Sequence, residues 1–288
     1  MGRFNKLSQI AQKISILLLG DRLTAKLQYF RHRKRWPNFN NPRDLSERLL
    51  SMRFSPDFDR YAPYADKILV RDYVQNKGLG HLLLKHYGVW NRPEDIDFDA
   101  LPDKFILKAN NGCGNHIICT NKSKLNRTEV INQLNHNLLM GRTSSERHYR
   151  AIEPKVFCEE LLEMPNGAAL IDYKVLCING EPDHFLIVSE REIHKRCSAV
   201  DISWQEIPHY IRPDLHPLNI PQAPRNLDKL VEYARILSAD FECVRVDFYE
   251  YNGVVYFGEL TFSPTGGFMY SYTDVAIQEI GDKFLVNK

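Results

Sequence analysis

The chain has 288 residues, of which 43% are hydrophobic, so it can bury a sizeable core in one to three domains. Its formal charge of +2 gives no case for nucleic-acid binding by the chain as a whole. Six cysteines show no CxxC spacing, and we expect them to be buried thiols in a reducing compartment. No apolar stretch approaches the roughly 18 residues of a membrane-spanning helix, and no signal peptide is evident, so we expect a cytoplasmic protein.

Residues 1–64 are predicted to form a helical N-terminal region, and its first 35 residues are locally basic. Nine Lys and Arg residues there accompany a single acid, Asp21. Apolar residues recur at helical spacing at Ile10, Ile14, Leu17 and Leu18. Such a basic amphipathic helix could lie on the anionic inner face of the cytoplasmic membrane, or it could simply pack on its own domain. A second helix is predicted over 42–60.

Residues 65–155 are predicted to form the next unit, which begins with a helix capped by Asp66. Lys67 then lies in the first turn, where its charge opposes the helix dipole. A cation at this place hints at a nearby anion, and a solvated lysine is the alternative. Gly78 is a suitable residue to end the helix.

A short buried strand over Phe105–Lys108 leads into a glycine-rich loop and a second apolar strand at His116–Cys119. Backbone N–H groups in such a loop can cradle phosphate oxygens, with Lys108 at its mouth. An ordinary glycine hairpin explains the pattern equally well. The glycine spacing and the place of the lysine match neither a Walker A loop nor a dinucleotide-binding GxGxxG motif.

Residues 156–288 are predicted to form a C-terminal unit that is rich in strands. Before it, Thr128 is predicted to cap a helix through Leu139, and residues 141–150 to form a polar, mobile loop. A charged cluster at 191–196 indicates either a solvated loop or a binding site. Strands with helices between them, and without a regular βαβ alternation, predict an α+β fold.

The stretch Arg245–Gly267 predicts two strands joined at Asn252-Gly253 and followed by a glycine-rich exit. Asp247 and Glu259 lie inside these strands. Buried carboxylates are costly unless they face cations or a metal. Their oxygens suit Mg²⁺, which also takes phosphate oxygens and water, and a surface salt bridge is the alternative.

The loop length of this hairpin decides whether its polar side chains meet. Strand side chains alternate between faces, so Arg245, Asp247, Glu259 and Thr261 share a face only if the loop has an odd number of residues. We therefore predict an odd loop with Gly253 in a left-handed bulge.

Five motifs occur in order: ADKILVRDYV, FILKANNGCGNHII, FCEELLE, DYKVLCINGEP and RVDFYEYNGVVYFGELTFSPTGG. Over about residues 40–285 the chain resembles the ATP-grasp superfamily and, within it, the group named after the teichuronopeptide biosynthesis protein TupA. The resemblance implies an ATP-grasp fold, in which a nucleotide is clamped between two α+β subdomains.

The resemblance also implies a role for each matched position. The residues implied to hold ATP or its phosphates are Lys67, Lys108, Gly112, Cys113, Gly114, Asn115, Glu159, Glu160, Leu161, Leu162 and Glu163. The residues implied to act on the transferred phosphoryl group or the acceptor are Lys174, Arg191 and Arg245. The implied Mg²⁺ ligands are Asp247, Glu259 and Thr261, the last standing where the family usually has asparagine.

The chemistry implied is that of an ATP-dependent carboxylate–amine ligase, which forms an acyl phosphate and then an amide, with release of ADP and phosphate. The family setting implies a uronic-acid carboxylate of a capsule or teichuronopeptide-like precursor, joined to an amino acid or similar amine. One alternative is a glycosyltransferase of polysaccharide biosynthesis. Another is a non-catalytic nucleotide-binding protein of that machinery.

Overall fold

The computed structural model describes residues 15–112, 114, 116–163, 170–189 and 196–284. Three residues implied in the site, Cys113, Asn115 and Arg191, lie outside this described part, as does most of the charged cluster at 191–196. The described residues form helices and two antiparallel sheets, which confirms the α+β class. No helix among them is long and apolar enough to cross a membrane.

The elements have the following bounds in the described chain. The helices are α1 (Asp21–Arg33), α2 (Leu45–Arg53), α3 (Ala62–Ala65), α4 (Val70–Asn76), α5 (Arg127–Arg142), α6 (Arg147–Arg150), α7 (Leu227–Ser238) and α8 (Asp274–Asp282). The strands are β1 (His86–Trp90), β2 (Phe105–Ala109), β3 (Ile117–Cys119), β4 (Val156–Glu159), β5 (Tyr173–Ile178), β6 (Glu181–Ser189), β7 (Arg196–Asp201), β8 (Cys243–Tyr251) and β9 (Val254–Thr261).

The first sheet has the strand order β1-β4-β2-β3. Phe105 and Leu107 of β2 are fully buried and share an apolar cluster with Leu134 of α5. Side chains alternate along a strand, so Ile106 and Lys108 point to the opposite face. The sheet extends past residue 155, because β4 pairs with both β1 and β2. The division of the chain into three units stays a prediction.

The second sheet has the order β7-β6-β5-β8-β9 and is covered on both faces. Val175, Val246 and Phe248 pack with α7 in one apolar cluster. Leu176 belongs to a second cluster, which includes residues of α2 and α8. Because both faces are buried, the centre of this sheet offers a rigid, water-poor base for polar side chains at its edge.

The final hairpin corrects one prediction. Tyr251 pairs with Val254, so the loop contains only Asn252 and Gly253, both with positive φ (52° and 75°), as a tight hairpin turn requires. The expected odd loop is therefore wrong. The extra residue lies inside β9: Phe248 pairs with Phe257 while Asp247 pairs with Glu259. A bulge at Gly258 thus restores the shared face.

Two predictions about the middle of the chain are also corrected. Asn126, and not Thr128, caps α5 by accepting a hydrogen bond from the Glu129 backbone N–H. The predicted loop at 141–150 is confined to 143–146: α5 continues to Arg142, and α6 buries His148 and Tyr149. Because the segment contains several basic residues, its sequence is typical of a polar loop, and the burial of its two aromatic side chains was not predicted.

The N-terminal helices pack onto the C-terminal part of the chain. Ala25 and Tyr29 of α1 are buried with Leu50 and Phe268. Of the predicted amphipathic face, Ile10 and Ile14 lie outside the described residues, and Leu17 and Leu18 are exposed, so the choice between packing and membrane contact stays a prediction. The Arg53 guanidinium donates to the Gly266 carbonyl at 3.0 Å and to Asp21 at 2.7 Å. The glycine-rich exit of the hairpin is thereby fixed by a distant helix.

Candidate active site

A cleft of about 300 Å³ lies where the two sheets face each other. We call it the first cleft. Its lining residues are Leu84, Ile106, Lys108, His116, Ile118, Glu159, Glu160, Leu161, Leu162, Leu170, Asp172 and Tyr249. Apolar walls with a few charged groups at one end are typical of sites for small organic ligands.

Lys108 and Glu159 form an ion pair in this cleft. Ile106, not Lys108, is the register partner of Glu159, so the two charged side chains meet diagonally across β2 and β4. His86 lies 3.9 Å from the same carboxylate. Burial, together with the charge of Arg71, lowers the pKa of His86 to about 4, so the imidazole is neutral at physiological pH. Lys108 is therefore the cation that balances Glu159.

Lys67 joins the glycine-rich loop to the last hairpin. Its Nζ donates to the Gly112 carbonyl at 2.5 Å and lies 3.3 Å from Glu259 Oε2. The preceding Asp66 is buried and accepts hydrogen bonds from the Ile68 backbone and the Asn110 side chain. The side chain of Asp66 thus fixes the turn that aims Lys67. This turn precedes α4, which begins at Val70 with Leu69 at its N-cap position, so the prediction that Asp66 caps the helix and that Lys67 lies in its first turn is wrong.

The hairpin brings its four polar side chains together, as the shared face requires. Arg245 Nε donates to Asp247 Oδ1 at 2.6 Å, and its Nη2 reaches Asp247 Oδ2 at 2.7 Å. The same Nη2 donates to Glu259 at 3.2 Å and to Thr261 at 3.0 Å. Thr261 in turn donates to Glu259 at 3.0 Å. The carboxylates are thus held at fixed positions by one planar guanidinium.

Lys174 connects this group to the first cleft. Its ammonium contacts both Asp247 and Asp172, the latter at 3.2 Å. The Tyr249 hydroxyl donates to Asp172, and both residues line the first cleft. Lys174 is only 9% exposed and Asp247 only 2%, so water screens their charges weakly.

The surrounding cations set the charge of Glu259. Burial raises its pKa, but the charges of Lys67, Arg245 and Lys174 outweigh that effect and hold the pKa at about 2. Burial likewise disfavours the charge of Arg245, while Asp247 and Glu259 raise its pKa well above the usual range. Glu259 and Arg245 are therefore both ionised at physiological pH.

A second cleft of about 240 Å³ shares Lys174 and Arg245 with this group. Its other lining residues are Leu186, Val188, Pro264, Thr265, Met269, Tyr270, Ser271 and Tyr272. Thr265 and Met269 have φ of 51° and 50°, which non-glycine residues rarely adopt. Such strain persists where the surroundings hold it, and it is common at binding sites.

The donor set of the hairpin fits a magnesium ion that is completed by phosphate. Two carboxylates and one hydroxyl face the same space, and hard oxygen ligands are those that Mg²⁺ prefers. Among the described residues, no group of three or more His, Cys, Asp or Glu side chains is arranged to hold a metal alone. Asp247 and Glu259 would therefore bind Mg²⁺ only together with outside oxygens.

The structure brings most of the implied site residues to these two clefts. Glu160, Leu161 and Leu162 line the first cleft, and Gly114 has a positive φ of 72°, as a tight loop requires. Glu163 instead pairs with Lys104 at 2.6 Å. The roles of all these residues stay predictions.

Sequence reasoning missed Asp172 and Tyr249. Asp172 stands two residues before Lys174, in the quoted motif DYKVLCINGEP, so alternation along the strand already placed both on one face. Tyr249 follows Asp247 by two residues, and the same argument could have found it.

The model of the TupA-like ATPgrasp family matches residues 44–285, a span that includes every described residue of both clefts. The chain belongs to the TupA-like ATPgrasp family. This confirms the resemblance and the ATP-grasp fold. A search of curated proteins found no match for this TupA-like ATPgrasp chain.

Several solved structures are similar to the chain at low identity. The ATP-grasp ligase PsnB complexed with minimal precursor, Mg and ADP is 18% identical, with a TM-score of 0.39 over 71% of this chain and 52% of PsnB. The D-alanine–D-alanine ligase from Bacillus anthracis complexed with ATP is 14% identical, with a TM-score of 0.42 over 76% of this chain and 65% of the ligase. The D-alanyl-alanine synthetase A from Vibrio cholerae is 12% identical, with a TM-score of 0.46 over 79% and 65%. The chain thus spans between about half and two thirds of the length of these proteins.

Proposed function

We propose that the chain is an ATP-dependent carboxylate–amine ligase, with the nucleotide in the first cleft and the acceptor carboxylate in the second. The observation that carries the proposal is an unbroken line of charged and hydrogen-bonding side chains between the two clefts. It runs from Tyr249 and Asp172 through Lys174, Asp247 and Arg245 to Glu259 and Lys67. Cations stand along this line where a phosphate and a carboxylate would have to meet.

The first cleft has the parts that a nucleoside needs. Ile106 and Ile118 offer apolar surface for a base, and Leu161 and Leu162 lie on the segment that follows β4. Glu160 lines the cleft and is our candidate to accept hydrogen bonds from the ribose hydroxyls. Glu163, the other acid near this segment, forms an ion pair with Lys104 instead.

The charged line suggests an exchange of partners when ATP enters. Lys67, Lys174 and Arg245 now balance Asp247 and Glu259. With Mg²⁺ held by the two carboxylates and Thr261, these cations would turn toward the phosphates. A bound Mg²⁺ would neutralise charge on phosphate oxygens. Lys108 would make the same change from Glu159 to a phosphate.

The reaction proceeds in two displacements. An oxygen of the acceptor carboxylate attacks the terminal phosphorus of ATP, and ADP leaves. The amine nitrogen then attacks the carbonyl carbon of the acyl phosphate, phosphate leaves, and the nitrogen loses a proton. Arg245 and Lys174 would stabilise the transferred phosphoryl group, because both line the second cleft. Arg191 is retained as a candidate for holding the acceptor.

We assign the acceptor to a uronic-acid carboxylate in a precursor of a bacterial capsule or other cell-surface polysaccharide, and the amine to an amino acid or similar compound. The likeness to the TupA group supports this assignment. Use of ATP supports a cytoplasmic reaction. The glycosyltransferase alternative has less support, since the paired acids lie on a hairpin beside three cations and not in an isolated DxD motif.

The test is release of ADP from ATP and Mg²⁺ by the purified chain, with uronic acids and amines screened in pairs. We expect release that requires both partners and that is lost in Asp247→Asn. Asp228→Asn, on the exposed face of α7, is the matched control and should keep full activity. Release of UDP from a UDP-sugar without ADP would favour the glycosyltransferase. Neither product, together with retained ATP binding, would favour the non-catalytic alternative.

A further inference from the structure

A row of large apolar side chains on the N-terminal helix stays exposed. α1 turns Ala25 and Tyr29 toward the core, while Leu23, Leu27 and Phe30 are 43%, 40% and 39% exposed. Spacings of four and three residues place these three side chains on one face of the helix.

Trp36 extends the row beyond the end of α1. Its ring stacks on Phe30 with the centroids 4.8 Å apart, and it is 54% exposed. We call Leu23, Leu27, Phe30 and Trp36 the leucine face. Tryptophan is enriched where protein meets the polar boundary of a bilayer, because its ring is apolar and its N–H is polar.

Uncompensated positive charge surrounds the leucine face. Within the described part of the chain, four cations near it make no ion pair with a carboxylate: Arg22, Lys26, Arg31 and Lys34. By contrast, Arg33 is paired with Asp274 and Arg35 with Asp44. The one acid of the first 35 residues, Asp21, is engaged by Arg53 at 2.7 Å.

This charge pattern decides between candidate occupants of the face. A symmetric contact with a second copy would bring the same four cations toward one another, which is unfavourable. An anionic lipid surface is complementary to both the apolar side chains and the cations. Its headgroups attract the flanking cations, while the apolar side chains enter the boundary of the acyl chains.

We propose that the leucine face binds the protein to an anionic bilayer surface. This goes beyond the proposed ligase activity and does not depend on it. The helix that carries this face packs beside the second cleft through other side chains: the Arg33 guanidinium donates to the carbonyls of Phe268 and Met269 at 3.3 and 3.2 Å, and Met269 lines that cleft. The His32 ring lies 4.4 Å from that of Tyr270, another lining residue. Binding of the protein to the bilayer through this face therefore keeps the second cleft close to the membrane surface.

The test is co-sedimentation of the full chain with vesicles of phosphatidylcholine alone or with roughly one third phosphatidylglycerol. We expect binding only to the anionic vesicles, and weaker binding at high salt. Leu23→Gln with Leu27→Gln should reduce binding by about tenfold or more, and Arg22→Glu with Lys26→Glu should do the same. All four side chains are at least partly exposed, so the variants should fold, which circular dichroism checks.

Matched controls separate the face from general hydrophobicity and charge. Leu218→Gln removes a leucine that is 97% exposed elsewhere, and Arg225→Glu with Lys229→Glu reverses the same amount of charge. Both should leave binding unchanged. If the variant with Leu23 and Leu27 substituted still binds vesicles as the parent does, another segment is responsible for the binding, and the proposal is overturned. Absence of binding, with or without self-association in analytical ultracentrifugation, would overturn it in favour of a protein partner or a second copy.

Discussion

Lys67 Nζ lies 3.3 Å from Glu259 Oε2, although the two residues are far apart in the sequence. Lys67 stands at the turn before α4, beside the glycine-rich loop, and Glu259 stands on β9 of the second sheet. The contact places a phosphate-binding candidate directly against a metal-binding candidate. It therefore couples the two halves of the site before any ligand enters.

Replacing Lys67 by methionine tests this coupling. We expect the affinity for ATP with Mg²⁺ to fall by about tenfold or more, because a charge-assisted contact contributes roughly 1.5 to 3 kcal/mol. Isothermal titration calorimetry measures the change. Lys229→Met, on the exposed face of α7, is the control and should bind as the parent does. Unchanged affinity in Lys67→Met would count against a role for Lys67 at the phosphates.

The buried pair of Lys174 and Asp247 should show strong energetic coupling. Asp247→Asn leaves Lys174 and Arg245 with less compensation, which we expect to cost about 3 to 5 kcal/mol of unfolding free energy. Adding Lys174→Met should recover part of this loss, since one uncompensated cation is then removed. Urea unfolding of the two single variants and the double variant gives the coupling energy. Additive effects would show that the two groups do not sense each other.

Deleting Gly258 tests whether the bulge sets the face. The deletion leaves the turn at Asn252-Gly253 intact but moves Glu259 and Thr261 to the other side of β9. We expect ATP binding in the presence of Mg²⁺ to be lost. Gly258→Ala keeps the bulge residue, so we expect ATP binding to be retained. The added Cβ would lie 3.0 Å from the Asp247 carbonyl oxygen, and we expect this close contact to lower the free energy of unfolding by about 1 kcal/mol. A deletion variant that binds normally would contradict this explanation.

His148 should make the protein sensitive to acid. It is fully buried between Phe58 and Tyr149, and among the described residues neither ring nitrogen has a hydrogen-bond partner. Burial and the charges of Arg53 and Lys67 lower its pKa to about 3. The unfolded chain therefore binds the proton more readily, and stability falls as the pH drops from about 6.5 toward 3, by at most about 1.4 kcal/mol per pH unit from this group.

His148→Phe keeps the volume of the ring and removes this titration. We expect stability at pH 7 that equals or exceeds that of the parent, and a smaller loss between pH 6.5 and 4. Thermal or urea unfolding across this range measures it. An identical pH profile in the variant would show that His148 does not titrate on unfolding.

The local pattern of the sequence was sufficient for several features. Alternation along the strands placed Arg245, Asp247 and Thr261 within one hairpin, and the pair Asn252-Gly253 marked its turn. The order of five motifs was sufficient for the family. These features are set by interactions between residues that are close in the sequence, so a local sequence pattern is enough to predict them.

Only the tertiary structure decided where the extra residue of the hairpin lies, and which partners the charged groups take. The bulge at Gly258 and the contacts of Lys67 with Glu259 and of Lys174 with Asp172 depend on how separate strands and turns approach one another. The same holds for α1, where packing buries Tyr29 and leaves the leucine face outside. A sequence pattern gives the period of a strand or helix, but register and exposure are set by contacts between distant segments, whose free energies no local pattern records.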